Sequence, residues 1–383
     1  MLVASTATLA ASTAGHESGA NWSNLAALRW AIEAGTPPRA SVIVIDEASM
    51  ADVVSVACVA RWCSENNKRL VLQGDPAQLG AVAAGDSFSV LCQQFPDQVV
   101  QLTTNQRQRT ADGQAIAAAL HAGDIDAAWD RLSAAGSVVV ARHREHKLDL
   151  LADLVVEQAA IHGADSVTCD AVTNAEVDDL NTRIHDRLIS SGQIDVITVR
   201  TYRNASGDTQ LGAGTVLRVT KPTSGKDGGR FTRGERATVI DAELDRVRVR
   251  FDDGRERSMT PRMLLAHFDY GYAGTTHKVQ GQTSAVHIGS LDRNKDRSSL
   301  YVTATRGRDL TMLVADARDW LDTSEMAKAL NWSAGQLDDE VLDRVRTHLS
   351  GKVESIDSPS RALTSLRTGL VQPISNPGMG MAL

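Results

Sequence analysis

The hydrophobic texture of these 383 residues predicts an α/β fold on parallel sheets, with an antiparallel insert late in the chain. Three observations predict it. First, "SVIVIDEAS" (41–49) is a short β-branched run, followed by the helix-spaced "MADVVSVACVARWCSENN" and a second apolar run, "KRLVLQGDPAQL". Strand, helix and strand in succession argue a parallel sheet, whose ligand sites lie past the strand carboxyl ends. Second, the same texture returns in "DSVTCDAVTNAEVDDLNTRIHDRL", "GYAGTTHKVQGQTSAVHIGS" and "SSLYVTATRGRDLTMLVAD". Third, "GTVLRVTK", "ERATVIDAE" and "RVRVRFDDGRERSMT" alternate apolar and polar residues around turns such as Asp252-Asp253-Gly254, which reads as an antiparallel meander or small barrel.

The remaining elements follow in order. Residues 1–40 read as a weak helix-and-loop region closed by "GTPPRA". "QVVQLTTNQRQRT" reads as an apolar strand closed by Arg107, leading into the helix "DGQAIAAALHAGDIDAAWDRL". The expected organisation is a partial first lobe (1–125), a helical connector (126–164), and a second lobe (165–194 and 266–320) carrying the insert (195–265). A C-terminal helical segment (321–350) and a flexible, Ser/Pro/Gly/Met-rich tail (351–383) complete it.

Composition bounds the function loosely. A net charge of −7 offers no hint of nucleic acid, although a local basic channel can hide inside an acidic total. No run approaches the ~20 apolar residues of a membrane span, and the first residues lack a basic signal-peptide start. Cys58, Cys63, Cys92 and Cys169 form no CxxC pair and fit reduced thiols, so the expected location is cytoplasmic.

The chemistry lies in five stretches. Asp46 and Glu47 end the first strand, where one carboxylate can hold magnesium and the next can align an attacking water. In "QGDPAQL", Asp75 and Gln78 share one tight turn, and the Gln78 amide could sense a terminal phosphate. In "LTTNQRQR", Arg107 offers a guanidinium fork suited to phosphate oxygens. "YAGTTHKVQGQT" gathers Thr275, Thr276, His277, Lys278, Gln280 and Thr283 around Gly281, a donor density suited to nucleotide or backbone phosphates. In "LYVTATRGRD", Arg306 could stabilise transferring phosphate charge, with Arg308 as a solvated or DNA-facing neighbour. His143 and His146, in "RHREHK", read as solvated rather than metal-binding.

In order and spacing these stretches closely resemble motifs II to VI of superfamily 1 helicases. They are most similar to the RecD-type branch, which includes the helicase lobes of MobF-type conjugative relaxases. The match runs from about residue 40 to 316, and "VASTATLAA" looks like a degraded motif Ia. The resemblance implies two RecA-like P-loop NTPase lobes, the second with a small β-barrel insert, and ATP-driven 5′ to 3′ movement on single-stranded DNA. It assigns magnesium, through water, to Asp46 and catalysis to Glu47, Gln78, Arg107 and Arg306. Nucleotide contacts fall to Asp75, Gln78, Arg107, Gln280, Gly281 and Arg306. DNA contacts fall to Thr275, Thr276, His277, Lys278 and Thr283. The implied cofactors are Mg2+ and ATP; the implied partners are single-stranded DNA and a conjugation or relaxosome complex.

One departure stands out. The phosphate-cradling loop, GxxxxGK followed by Ser or Thr, does not occur in the 383 residues. "SGKDGG" is a decoy, with Thr220 at the first glycine position and Asp227 after Lys226. Loop amides, lysine and hydroxyl normally hold the phosphates and magnesium. The expectation is therefore an N-terminally truncated helicase that binds ATP weakly, with an exposed edge in its first sheet. The relaxase's own tyrosine-rich segment and three-histidine cluster are not seen. A non-catalytic DNA-binding or interaction module, or the remnant of a decayed relaxase gene, remains open.

Overall fold

The computed structural model describes residues 1–78, 87–204, 207–224, 230–276, 284–351 and 379–382. It divides into two compact units, one holding Met1–Asn105 and the C-terminal strand, the other Gln106–Lys352.

In the first unit, β1 (Leu2–Ser5), α1 (Thr8–Ser18), β2 (Asn21–Asn24), α2 (Leu25–Glu33), β3 (Val42–Asp46), α3 (Val53–Glu65) and β4 (Arg69–Gln73) alternate as expected of a parallel sheet. They are followed by α4 (Ser87–Gln94) and β5 (Val99–Val100). Residues 1–40, expected as weak helix and loop, thus carry two strands. All four residues of β1 are buried and pair with β3, so long-range pairing overrides a weak local signal. Helix α3 is capped by the Asp52 carboxylate accepting from the Ser55 amide, and buries Val56, Val59, Ala60 and Cys63 against the sheet.

The second unit opens with α5 (Ala111–Ala122), α6 (Ile125–Ala134), β6 (Val138–Ala141), α7 (Arg144–His162), β7 (Val167–Ala171) and α8 (Asn174–Ser190). The insert contributes β8 (Arg200–Asn204), β9 (Gly207–Leu211), β10 (Val216–Val219), β11 (Thr223–Ser224), β12 (Arg230–Phe231), β13 (Arg236–Ala242), β14 (Val247–Phe251), β15 (Glu256–Met259), α9 (Pro261–His267) and β16 (Phe268–Tyr270). The chain then returns through β17 (Ala273–Thr275), β18 (Ser284–Leu291), a helix at Arg297–Ala304 and β19 (Gly307–Asp316). The parallel sheet runs β17-β7-β18-β19-β6. One face packs α7 and α8 through Leu151, Val155, Leu180 and Ile184; the other packs α5, α6 and the helix Ala334–Gly351. The expected connector at 126–164 therefore contains a strand of this sheet, β6, because Val138–Ala141 finds β19 as its partner.

In the insert, β15-β14-β13-β10-β16 form an antiparallel sheet. Strand β14 buries Val247, Val249 and Phe251 and exposes Arg248 and Arg250, the alternation that the sequence shows. The sheet continues to Tyr270, past the expected limit at 265.

Two further expectations change. The strand expected to end at Arg107 is only Val99–Val100, and 101–106 run as exposed coil. In the expected flexible tail, Met379–Ala382 forms β20, parallel to both β4 and β5, in a sheet ordered β2-β1-β3-β4-β20-β5. Strand β20 thus lies inside the sheet, with β2 and β5 at its margins; backbone amides and carbonyls in a sheet seek partners wherever the chain supplies them.

Candidate nucleotide and DNA site

In the first unit, parallel pairing brings the carboxyl ends of β1, β2 and β3 into register, with Ser5 beside both Asn24 and Asp46. Asp46 is half-buried. Burial raises its carboxyl above the ordinary range, against a smaller opposing effect from the Glu47 backbone hydrogen bond. Glu47 takes a left-handed conformation (φ 53, ψ 44), which is uncommon for a side-chain-bearing residue and characteristic of functional turns.

The turn after β4 lies directly against this one. A Cβ built on Gly74 would sit 3.0 Å from the Ala48 amide nitrogen and 3.1 Å from that of Ser49. A side chain here would require the neighbouring turn to yield by a few tenths of an ångström. Asp75 accepts from the Ala77 amide (2.9 Å) and from Gln78 Nε2 (3.3 Å), so it shapes the turn and orients the Gln78 amide. Asp46, Glu47, Asp75 and Gln78 therefore share one sheet edge. Ser5 Oγ, Thr6 Oγ1 and Ser49 Oγ are buried there without hydrogen-bond partners. Carboxylates with unsatisfied hydroxyls form a hard-oxygen donor set that fits Mg2+, directly or through water.

In the second unit, Thr275 ends β17, a strand clamped by Asn181, which donates to the Ala273 carbonyl and accepts its amide. Thr276 donates to Asp170 at 2.6 Å. His277, Lys278, Gln280, Gly281 and Thr283 lie outside the described residues, as does the "SGKDGG" decoy at 225–229. Arg306 is buried in the turn between the helix Arg297–Ala304 and β19. A Cβ on Gly307 would lie 1.9 Å from the Leu310 carbonyl oxygen, so this turn requires glycine. Gln108 Nε2 donates to the Thr305 carbonyl (2.6 Å) and the Arg109 amide to that of Arg308 (2.8 Å). Exposed Arg107 is thus fastened by its neighbours beside the turn of Arg306. The sequence signal for this docking was missed because Gln108 reads as one more polar residue.

An open cleft of about 710 Å³ in the same unit is lined by Arg109, Arg236, Arg250 and Arg308, against Asp165 and Asp252. It is a locally basic surface within an acidic chain. His143 caps α7 by accepting from the His146 amide, and no cluster of possible metal ligands occurs among the described residues. Among those residues no helix is long and apolar enough to cross a membrane.

The fold is α/β on parallel sheets, like the RecA-like lobes of Pif1 helicase. It superposes on Pif1 from Bacteroides bound to single-stranded DNA with a TM-score of 0.51, at 17% identity, covering 88% of this chain and 86% of that one. Residues 1–143 match a family described as "AAA domain". The chain is 26% identical over 316 residues to the conjugal transfer protein TraA of Rhizobium radiobacter, covering 79% of this chain and 27% of the relative. It is 24% identical over 301 residues to a probable TraA of Sinorhizobium fredii, covering 76% of this chain and 26% of the relative. Over 121 residues it is 38% identical to the RecBCD subunit RecD of Mycolicibacterium smegmatis, covering 31% of this chain and 21% of that protein. The chain thus spans about a quarter of the length of the TraA relatives.

Proposed function

We propose that this chain is motor machinery of a DNA helicase or translocase, moving 5′ to 3′ on single-stranded DNA within a conjugative relaxase. The observation that carries the reading is the convergence of Asp46 and Glu47 with Asp75 and Gln78 on one parallel-sheet edge, through the close approach at Gly74. Asp46 would hold Mg2+, which would supply charge neutralisation to ATP phosphates. Glu47 would orient and deprotonate the attacking water, and the oriented Gln78 amide would register the terminal phosphate. Arg107 and Arg306 would meet phosphate charge. Thr275, Thr276, His277, Lys278 and Thr283 would contact the strand, with Gln280 and Gly281 toward the nucleotide.

The lack of GxxxxGK in these 383 residues favours a second reading, a single-strand-binding module in which ATP binds weakly. The test is binding of a fluorescein-labelled oligothymidylate at low and moderate salt, alongside Mg-ATP hydrolysis with and without it. DNA-stimulated hydrolysis that Glu47→Gln removes, by about a hundredfold or more for a lost general base, supports the motor. Salt-sensitive binding without hydrolysis supports the module. Absence of binding sinks both.

A further inference from the structure

A sealed charged cluster in the second unit joins Thr276 to residues not singled out by sequence. Asp170, near the end of β7, and Lys295, in the connection after β18, form an ion pair of 3.0 Å with side chains 1% and 6% exposed. Both Asp170 carboxylate oxygens and the Lys295 ammonium are hydrogen-bonded within it. Asp170 Oδ1 accepts the Ser290 amide (2.8 Å), while Oδ2 accepts Lys295 Nζ and the Thr276 hydroxyl (2.6 Å). Lys295 Nζ also donates to Thr303 Oγ1 at 2.6 Å and approaches Thr276 Oγ1 at 3.5 Å.

The residues it joins matter more than the pair itself. Thr276 is the last described residue before segment 277–283, and Ser284 is the first after it. Both are fastened to β7: Thr276 through Asp170, and Ser284 through Thr168 Oγ1 at 2.7 Å. Thr303 lies in the helix leading to Arg306, whose amide donates to the Thr303 carbonyl (3.3 Å). That helix is seated tightly, since a Cβ on Gly289 would come within 2.3 Å of Thr303 Cγ2 and 3.2 Å of Asp170 Oδ1. Burial alone would raise the Asp170 carboxyl; Lys295 above all, with the Thr276 hydroxyl, outweighs it and holds the group below its ordinary value. The carboxylate form of Asp170 is therefore favoured. A buried ion pair is a poor way to gain stability compared with apolar packing, whereas directional bonds to Thr276, Ser290 and Thr303, on three other segments, fix geometry.

We infer that Asp170 and Lys295 are positioning residues that lock Thr276, in the stretch read as contacting DNA, to the helix that leads into Arg306. The inference rests on the motor reading for its functional meaning, but the mechanical link is measurable without it. The full 383-residue chain is compared with Thr303→Val, Thr303→Ser and the neutral pair D170N/K295M. Urea unfolding, hydrogen exchange of peptides covering 297–306, and oligothymidylate anisotropy are measured on each. The expected result for Thr303→Val is a lowered urea midpoint, with exchange at 297–306 accelerated beyond that of the rest of the chain and oligothymidylate affinity lowered, each by about tenfold. Thr303→Ser, which keeps the hydroxyl, should behave as wild type. D170N/K295M should repeat the Thr303→Val pattern. If D170N/K295M fails to fold, the two Thr303 variants still decide. Unchanged exchange and affinity in Thr303→Val would overturn the link. A wild-type chain that ignores oligothymidylate would defeat both functional readings, leaving the exchange measurement to judge the positioning.

Discussion

The two units treat a buried carboxylate in opposite ways. Asp46 is half-buried, raised by burial, and shares its end of the sheet with the unpartnered hydroxyls of Ser5, Thr6 and Ser49; Asp170 is fully buried and has a cation, a hydroxyl and an amide of its own. The first arrangement leaves an electrostatic demand for a ligand to satisfy. The second satisfies itself and stays rigid. Ligand sites tolerate local cost, while positioning devices remove it.

This contrast can be broken most sharply at Lys295. Replacing it alone by Met leaves the Asp170 charge buried and unpaired, which should cost about 3–5 kcal/mol in a urea titration. D170N/K295M should recover most of that. If Lys295→Met were neutral, the second unit would not depend on its pair. Gly307→Ala should come next, at about 3 kcal/mol or more, because a methyl would meet the backbone oxygen of Leu310 rather than a side chain able to move.

Protonation gives a mid-sized test. Burial lowers His287 to about 3 and His185 to about 4 from 6.5. Each imidazole stays neutral when folded and takes up a proton on unfolding below 6.5. Their contribution is therefore full above that value and is lost as pH falls. At pH 5 the loss should be about 2 kcal/mol for each. Urea midpoints at pH 5 and 7.5 measure it, and His287→Asn should flatten the dependence.

The smallest effect belongs to the first unit. Asp46→Asn removes a desolvated charge with no cation partner, so stability should fall by no more than about 0.5 kcal/mol or should rise. Magnesium binding, followed by calorimetry, should nevertheless be lost. A large destabilisation by Asp46→Asn would show that this carboxylate, like Asp170, already serves the fold.

Much of the architecture was legible because it depends on local periodicity. The β-branched run 42–46, the capped helix after it and the alternation of 247–251 each state their own structure. The Asp75–Gln78 turn was legible for the same reason, since its hydrogen bonds close within four residues. Strands β1, β2 and β6 were not, because short segments with weak propensity become strands only when a distant neighbour offers its edge. Strand β20 is the extreme case, pairing between β4 and β5 from the far end of the chain.

The same division governs the candidate site. Sequence alone determined which residue types could meet magnesium, phosphate and DNA, because Asp46-Glu47, Gln78, Arg107, Thr275 and Arg306 sit in short ordered stretches with chemical meaning. Only the tertiary structure decided what holds them. Gly74 lies against Ser49, Gln108 bonds to Thr305, and Asp170 meets Lys295 across 125 positions of sequence. Buried polar groups must find partners in space, and sequence spacing says nothing about which ones they find.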